Sequence, residues 1–337
     1  MEHTVLRVNT QSRQYDVHFC RGGIAAVGQI FDLDRKVLVV TDDGVPPQYA
    51  SCVAGQCRHA VIITVPQGEH SKSFDTLQLL LRAMQENHFD RTSCVVAVGG
   101  GVVGDLAGFA AGMYMRGVSF YNIPTTTLSQ IDSSVGGKTA INFGGIKNNI
   151  GSFYQPEGVL IDADLTKTLD RRQFASGLAE ALKMGCIYDK ELFDLFLQPE
   201  LNLDLILYKS VKDKAQIVSM DEKEHGLRKI LNFGHTIGHG YEAVSEFKQT
   251  DVPPLTHGEC VGLGMLAVSE GELREMLKGI LQKMGLPVTC NLDKNAVYEA
   301  VTLDKKKSGD EIDLIAVNEI GKALICRKKL TDLREKI

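Results

Sequence analysis

An alternation of short apolar strands with helical segments in the first half of the chain is the feature that most constrains its fold. Five β-branched runs are typical of buried parallel strands: 36–41, 60–65, 94–98, 118–123 and 158–162. Between the second and third runs, apolar residues recur at helical spacing over 73–88. Strands and helices that alternate in this way predict an α/β domain built on a parallel sheet.

The second half of the chain has a different pattern, which is mainly helical. Helical periodicity predicts four helices, at 171–187, 203–219, 228–246 and 257–284. A shorter stretch at 312–317 has some strand character. Because 337 residues exceed what one hydrophobic core usually supports, we expect two domains, an α/β nucleotide-binding domain at 1–170 and a mainly α-helical domain at 171–337.

Charge and cysteine usage exclude several classes of protein. Lys and Arg number 37 against 42 Asp and Glu, a net charge of −5, which is not the footprint of a nucleic-acid or membrane-surface binder. The chain begins without a signal peptide pattern, and no run of about 18 apolar residues follows. The eight cysteines are scattered without a CxxC pair. We therefore expect a cytoplasmic enzyme with reduced cysteines and neither a nucleic-acid nor a membrane partner.

A glycine turn at 99–105 follows the strand 94–98 and precedes a helix of small residues. Glycines at such a turn let backbone N–H groups approach a pyrophosphate, and the helix N-terminus supplies positive potential. Asp42, the segment 68–72 and the segment 124–127 follow other strands, where open α/β sheets bind ligands. The alternative for each of them is an ordinary tight turn.

A second glycine-rich segment carries two lysines nine positions apart, Lys138 and Lys147. It comprises 132–139 and 145–149, and Asp132 and Asn148 lie within it. Ammonium groups on such a loop suit a phosphorylated or carboxylated small molecule. A simple glycine-rich connector is the alternative, although the density of polar and cationic groups favours function.

Two histidines four residues apart, His235 and His239, lie on one helical face. Such a pair can bind a metal or be a solvated or buried pair, and its spacing alone leaves both possibilities open. His257 at the predicted start of another helix and Glu180, one turn before Lys183 on an apolar helix, favour a metal. One glutamate and two histidines would leave an open position on Zn²⁺, as in catalytic sites.

Six segments, in their order along the chain, resemble the 3-dehydroquinate synthase family. They are GGGVVGDLAGFAA, IPTTTLSQIDSSVGGKTAIN, GIKNNIGSFYQP, GLAEALKMG, LRKILNFGHTIGH and THGEC. The resemblance spans about residues 37–325, nearly the whole chain. The wider fold is similar to that of metal-dependent glycerol dehydrogenases, which share the cofactor half and the metal half.

The resemblance implies NAD⁺ in the first domain and Zn²⁺ (or Co²⁺) in the second, with Glu180, His235 and His257 as metal ligands. It assigns His239 to acid/base chemistry and phosphate contact, and not to the metal. The positions that match NAD-binding residues are Asp42, Glu69, Lys72, Gly100, Gly101, Val102, Asp105, Thr125, Thr126, Leu128, Lys147 and Thr168. A departure from the family pattern is Asp170, which follows Thr168-Leu169 where the family usually has proline.

The resemblance also implies the substrate contacts and the catalytic groups. The substrate-binding positions are Arg116, Lys138, Lys147, Asn148, Lys183, Lys214, Arg228, Asn232, His239 and a lysine near 305, for which we choose Lys306. The catalytic positions are Asp132, Lys138, Lys183, Glu224 and His239. A homodimer is expected, in which Arg116 could reach the neighbour's site.

The implied reaction, a lyase step of the shikimate pathway, converts 3-deoxy-D-arabino-heptulosonate 7-phosphate into 3-dehydroquinate and phosphate. Transient oxidation by NAD⁺ at a metal-bound alcohol would precede loss of phosphate, return of the hydride and an internal aldol closure. Another sugar phosphate cyclase is the nearest alternative. An NAD- and metal-dependent polyol dehydrogenase and a metal-binding module without activity are the others.

Overall fold

The computed structural model describes residues 3–247, 253–305 and 311–337. The chain divides into two compact units. The first comprises Met1–Leu169 and Lys214–Lys223, and the second comprises Asp170–Asp213 and Glu224–Ile337. The segment Lys214–Lys223 thus groups with the α/β unit, although the sequence pattern offers no reason to separate it from its helical neighbours.

The first unit is built on a seven-stranded sheet. Its strands are β1 (Thr4–Asn9), β2 (Gln14–Phe19), β3 (Lys36–Asp42), β4 (His59–Val65), β5 (Cys94–Gly99), β6 (Ser119–Pro124) and β9 (Gly158–Ile161). Their order is β1-β2-β9-β6-β5-β3-β4, and only the β1–β2 pair is antiparallel. The five predicted strands are confirmed, and the N-terminal hairpin β1–β2 is an addition that the sequence pattern did not predict.

Three whole helices and a separate hairpin also belong to the first unit. The helices are α1 (Pro47–Ala54), α2 (Phe74–Glu86) and α3 (Gly101–Met113). The hairpin consists of β7 (Lys138–Phe143) and β8 (Ile146–Phe153). Its turn residues Gly144 and Gly145 have φ angles of 61° and 78°, the left-handed conformation of the two-residue turns that match strand twist.

Hydrophobic clusters cover both faces of the sheet, because successive side chains of a strand point to opposite sides. In β3, Leu38 and Val40 belong to the cluster that contains Leu80 of α2. Val37 and Val39 belong to the cluster on the other face. Each of these four β3 side chains is fully buried, as near-continuous apolar strands of parallel sheets require.

Strand order reverses at β3, which pairs with β4 on one side and with β5 on the other. The chain therefore leaves β3 and β5 at neighbouring carboxyl ends, at Asp42 and Gly99. This is the kind of switch point at which open α/β sheets bind ligands. The switch point explains why Asp42 and the glycine turn, far apart in sequence, lie at one edge of the sheet.

The second unit is mainly helical. Its helices are α4 (Arg171–Ile187), α5 (Lys190–Leu197), the first part of α6 (Leu203–Met220), α7 (His235–Phe247), α8 (His257–Val268), α9 (Gly271–Met284) and α10 (Lys294–Lys305). A hairpin of β10 (Glu311–Glu319) and β11 (Lys322–Lys329) follows. The predicted fold class, an α/β domain followed by a mainly helical domain, is confirmed.

Two of the predicted helices are interrupted. The predicted helix at 228–246 is divided into a 3₁₀ helix at Leu227–Asn232 and α7. The break lies at Gly234, whose φ is 78°. The segment 257–284 is divided between α8 and α9 at Ser269, whose φ and ψ of −96° and 150° are extended. Apolar residues recur at helical spacing on both sides of each break, so periodicity alone could not reveal the breaks.

No described helix combines the length and apolar composition of a membrane-spanning segment. All eight cysteines lie in described parts of the chain, and each is a free thiol.

Candidate active site

Three potential metal donors converge in the second unit from three different helices. Glu180 lies in the middle of α4, His235 begins α7 and His257 begins α8. The Nε2 atoms of His257 and His235 lie 3.1 and 3.3 Å from Oε1 of Glu180. All three donor atoms lie within 4.8 Å of one another, and no other group of this kind occurs among the described residues.

Direct backbone contact places α8 against α4 at the donor set. A Cβ on Gly258 would overlap the carbonyl oxygen of Ser176, so only glycine permits this approach. The amide of Gly258 also donates to Oγ of Ser176 at 3.0 Å. Glu180, one turn after Ser176 on α4, and His257, which precedes Gly258, are thereby held side by side.

A charged cap fixes the first turn of α8. Thr256 and Glu259 form a capping box, in which the Thr256 side chain accepts from the amide of Glu259 and Glu259 accepts from the amide of Thr256. Arg172 in the first turn of α4 binds both carboxylate oxygens of Glu259, at 2.7 and 2.6 Å. This fork joins the first turn of α4 to the first turn of α8, in which His257 lies.

Glycine contacts also bring α7 close to α8. A Cβ on Gly264 of α8 would overlap the carbonyl oxygen of Gly234, the residue before His235. A Cβ on Gly238 of α7 would lie 2.9 Å from the carbonyl oxygen of Cys260. Backbone therefore meets backbone on two sides of α8, which accounts for the density of glycines in the HTIGH and HGEC segments.

Each histidine is oriented by its second ring nitrogen. Nδ1 of His257 lies 3.3 Å from Oε2 of Glu242, and Nδ1 of His235 lies 3.2 Å from the carbonyl oxygen of Phe233. Contacts of this type fix the ring and the tautomer of metal-binding histidines. Glu242 is not among the predicted site residues, although its position seven residues after His235, on the same helix face, is a signal for it.

Electrostatics keep the Glu180 carboxylate ionised although it is buried. Burial alone would raise its pKa, but Lys183, with Nζ 2.5 Å from Oε2, and His235 hold the pKa well below its usual range. Burial and Lys183 lower the pKa of His235, which favours its neutral form. Burial opposes protonation of His257 as well, but hydrogen bonds to Glu180 and Glu242 raise its pKa to about 10.

The chemistry of this donor set fits a divalent cation. One carboxylate and two imidazoles are the ligands of catalytic zinc sites, which retain an open position for substrate. A cation would displace the proton that His257 carries between two carboxylates. The ring of His239 lies 5.4 Å from that of His235, centroid to centroid, yet His239 is not part of the donor group.

In the first unit, the glycine turn has the features of a phosphate site. Gly100 is the N-cap residue of α3, a helix of 13 residues, and as a glycine it offers no side-chain cap to the amides of the first turn. A Cβ on Gly100 would lie 3.2 Å from Cγ2 of Thr126, and one on Gly101 would lie 3.2 Å from Oγ of Ser133. Val102 lies in the first turn of α3, and the amide of Thr125 donates to the carbonyl oxygen of Gly99 at 2.9 Å.

Other residues predicted to bind the cofactor lie at the same strand ends. Asp42 ends β3 and accepts from the amide of Gly44 at 2.9 Å, and burial raises the pKa of its carboxyl group. Leu128 directly precedes the π-helical turn Ser129–Ser133. Oγ1 of Thr168 lies 3.3 Å from the hydroxyl of Tyr49.

Lys72, which is buried, contacts several of the residues predicted to bind the cofactor or the substrate. Nζ of Lys72 lies 2.7 Å from Oδ2 of Asp105 and 3.6 Å from Oε1 of Glu69, and it donates to Oδ1 of Asn148. Burial raises the pKa of Asp105 to about 6, although Lys72 opposes the shift. Asn142, which sequence analysis did not identify, accepts from the amide of Asn148 at 2.8 Å.

The predicted anion-binding residues of the first unit are only partly brought together. Nζ of Lys214 lies 2.8 Å from Oδ1 of Asp132 and 2.5 Å from its carbonyl oxygen. Lys138 and Lys147 lie on the β7–β8 hairpin with exposed side chains. Arg116 is exposed and has a left-handed φ of 68°.

In the second unit, Arg228 is buried within the 3₁₀ helix Leu227–Asn232. Nδ2 of Asn232 donates to Oε1 of Glu224 at 3.0 Å, and Glu224 has a left-handed φ of 62°. Lys306 lies outside the described residues.

Family models match most of the chain. Residues 62–176 match the 3-dehydroquinate synthase N-terminal model, and residues 177–307 match the C-terminal model. A 3-dehydroquinate synthase from Campylobacter concisus is 43% identical over 309 residues, which cover 87% of this chain and 88% of the relative. One from Thermodesulfovibrio yellowstonii is 39% identical and covers 95% of both chains.

Solved structures resemble the chain over nearly its whole length. A 2-deoxy-scyllo-inosose synthase in complex with carbaglucose-6-phosphate, NAD⁺ and Co²⁺ has a TM-score of 0.87 at 25% identity, with 98% of both chains covered. A 2-epi-5-epi-valiolone synthase from Streptomyces hygroscopicus subsp. jinggangensis with NAD⁺ and Zn²⁺ bound has a TM-score of 0.84 at 26% identity, and the match covers 96% of this chain and 95% of the other. The chain therefore belongs to the 3-dehydroquinate synthase family.

Proposed function

We propose that this chain is a metal- and NAD⁺-dependent 3-dehydroquinate synthase, which releases phosphate from 3-deoxy-D-arabino-heptulosonate 7-phosphate and closes the product ring. The observation that carries the proposal is the Glu180–His235–His257 donor set in a member of this family. The NAD⁺ and the Co²⁺ or Zn²⁺ bound to the similar cyclases support both cofactors.

Glu180, His235 and His257 would hold the cation and leave it open to a substrate hydroxyl group. When bound, the cation would make this hydroxyl more acidic, and NAD⁺ would accept a hydride and later return it. Because the hydride returns, one NAD⁺ should serve many turnovers, whereas a polyol dehydrogenase would accumulate NADH.

Lys183 and His239 have separate tasks around the donor set. The Lys183 ammonium, only 3% exposed, keeps Glu180 ionised and would donate a hydrogen bond to the substrate hydroxyl. His239 lies beside His235 and His257, with ring centroids at 5.4 and 6.4 Å, so it would move protons next to the donors without binding the cation.

The first unit would bind NAD⁺ at the switch point of its sheet. The amides of Gly100, Gly101 and Val102 would approach the pyrophosphate, and Asp42 would accept from a ribose hydroxyl. The remaining cofactor contacts would come from Glu69, Lys72, Asp105, Thr125, Thr126, Leu128, Lys147 and Thr168.

Cationic and amide groups would bind the two anionic ends of the substrate. Arg116, Lys138 and Asn148 would contact phosphate. Lys214, anchored on Asp132, would contact the carboxylate, as would Arg228 and Asn232, with Glu224 orienting the Asn232 amide. The choice of Lys306 remains a prediction.

A homodimer in the cytoplasm is also part of the proposal, and it rests on resemblance to the family. Sedimentation velocity of the metal-loaded protein should give a single species of about twice the monomer mass of 36.9 kDa. A monomer at micromolar concentration would contradict it.

The deciding experiment is an assay of phosphate release with substoichiometric NAD⁺ and either Zn²⁺ or Co²⁺. The expected result is many equivalents of phosphate from the heptulosonate phosphate, with none from Glu180→Gln or His257→Ala protein. Phosphate release from a different ketose phosphate alone would indicate another cyclase, and stoichiometric NADH without phosphate would indicate a polyol dehydrogenase. Activity that survives complete removal of the cation would contradict the metal-dependent reaction.

A further inference from the structure

Asn142 lies at the one irregularity of the β7–β8 hairpin. Ile141 pairs with Ile150, and Phe143 pairs with Ile146. One residue of β7 therefore faces three residues of β8, 147–149, in a bulge. Two of these three, Lys147 and Asn148, are residues that we propose to bind the cofactor or the substrate. Bulges are frequent next to active sites, where they change the direction of a side chain.

The side chain of Asn142 replaces the backbone partner that the bulge removes. Its Oδ1 accepts from the amide of Asn148 at 2.8 Å, where a regular ladder would offer a carbonyl group of β7. Asn148 has a φ of 56°, a left-handed conformation that asparagine adopts more readily than most residues. This hydrogen bond holds Asn148 in the conformation from which its Oδ1 meets Nζ of Lys72.

The other half of the same amide reaches the segment that carries Glu69 and Lys72. Nδ2 of Asn142 donates to Oε1 of Glu69 at 2.9 Å and to its carbonyl oxygen at 3.3 Å. The backbone amide of Asn142 donates to the carbonyl oxygen of Lys72 at 2.8 Å. One residue thus connects three of the proposed binding residues, Glu69, Lys72 and Asn148.

We infer that Asn142 is a positioning residue that sets cofactor affinity through Glu69 and Lys72 and substrate affinity through the bulge. This inference rests on the proposed function, since it gives those neighbours their roles. Asn142 itself would contact neither cofactor nor substrate. Its two functions use opposite ends of one amide, so they can be separated by substitution.

The test uses the full-length, metal-loaded enzyme and two substitutions. Asn142→Ala removes both ends of the amide, whereas Asn142→Asp keeps an acceptor for the Asn148 amide and places a carboxylate against Glu69. The dissociation constant of NAD⁺ is measured by calorimetry at pH 8 and needs no turnover. KM for the heptulosonate phosphate is measured by phosphate release. Asn149→Ala, a change at the exposed neighbouring position of the bulge, is the matched control.

We expect Asn142→Ala to raise both the NAD⁺ dissociation constant and KM by about 3- to 10-fold, the effect of one lost hydrogen bond. Asn142→Asp should weaken NAD⁺ binding at least as much and leave KM within about twofold of the unmodified enzyme. Asn149→Ala should change neither quantity.

Two results would overturn the inference. One is Asn142→Ala protein with unchanged NAD⁺ affinity and KM, and the other is equal loss of both in the Ala and Asp variants, which indicates a merely structural role. An unmodified enzyme that binds NAD⁺ but releases no phosphate would instead contradict the proposed function.

Discussion

Nδ1 of His257 lies 3.3 Å from Oε2 of Glu242, on the side of the imidazole opposite the nitrogen that faces Glu180. The imidazole is thus held between two carboxylates on different helices. Such a contact raises the basicity of a metal-binding histidine and fixes its orientation. Glu242 therefore contributes to the donor set without being one of its members.

Replacing Glu242 by alanine should weaken cation binding by about 10- to 100-fold, the usual effect of removing such a partner. Glu242→Gln, which keeps a hydrogen-bond acceptor but loses the charge, should have a smaller effect. Competition with a chromogenic chelator measures the affinity for Zn²⁺. The control is Glu246→Gln, one turn further along α7, and equal losses in the control and in Glu242→Ala would contradict the assignment.

Asp213 should make the stability of the enzyme depend on pH. It is only 4% exposed, and burial and the neighbouring Asp189 raise its pKa to about 7, although Lys209 and Lys212 oppose the shift. Because the ordinary pKa is 3.8, the folded state holds this proton more tightly. Its contribution to stability is therefore greatest below about pH 4 and is lost as the pH rises to about 7.

Asp213→Asn should accordingly raise the melting temperature at pH 8 by about 2–5 °C and change it little at about pH 4, where the carboxyl group is largely protonated in both states. Differential scanning calorimetry at the two pH values measures the difference. Asp194→Asn, at a half-exposed surface ion pair on α5, should shift the melting temperature by less than about 1 °C at either pH. A gain for Asp213→Asn that is the same at both pH values would rule out titration of this group.

The fork between Arg172 and Glu259 should stabilise the second unit. Arg172→Ala leaves the buried carboxylate of Glu259 without its cationic partner, and we expect a loss of about 1–3 kcal/mol in the free energy of unfolding. Arg172→Lys should recover only part of it, because an ammonium group cannot bind both oxygens in the same fork. Urea denaturation measures the change, and Arg171→Ala, at the exposed neighbouring position, should be close to neutral.

Gly258→Ala should disrupt the donor set through the backbone. Its Cβ would overlap the carbonyl oxygen of Ser176, so α4 and α8 must move apart and separate Glu180 from His257. We expect loss of bound cation together with a lower melting temperature, measured by metal analysis and thermal unfolding. Gly279→Ala is the matched control, since its Cβ meets nothing within 4 Å and should stabilise α9 by up to about 1 kcal/mol. Full cation content in Gly258→Ala protein would contradict the role of this contact.

Much of the fold was predictable because its signals are local. The five parallel strands, α4 at 171–187 and the end of α9 before Gly285 follow directly from periodicity and glycine. The β7–β8 hairpin was missed, although Gly144-Gly145 between apolar residues is a hairpin signal. The lysines and glycines of this segment equally favour a ligand-binding loop, so its residue types alone do not distinguish a loop from a hairpin.

The site was less predictable from spacing alone. The pair His235 and His239 indicated a metal, but the structure groups His235 with Glu180 and His257, from helices distant in sequence. Only the resemblance to the family predicts that His235 binds the metal and that His239 does not. Glu242 and Asn142 are not among the predicted site residues because they act through hydrogen bonds to residues that only folding brings near, His257 and Glu69.

The close approach of α8 to its neighbours has a consequence for how this enzyme can change over generations. Main-chain atoms, at Gly258 and Gly264, set the spacing on both sides of the helix. A side chain at either glycine would therefore push apart the helices that carry the cation's ligands. Natural selection should therefore retain glycine at these two positions although neither residue is itself a ligand.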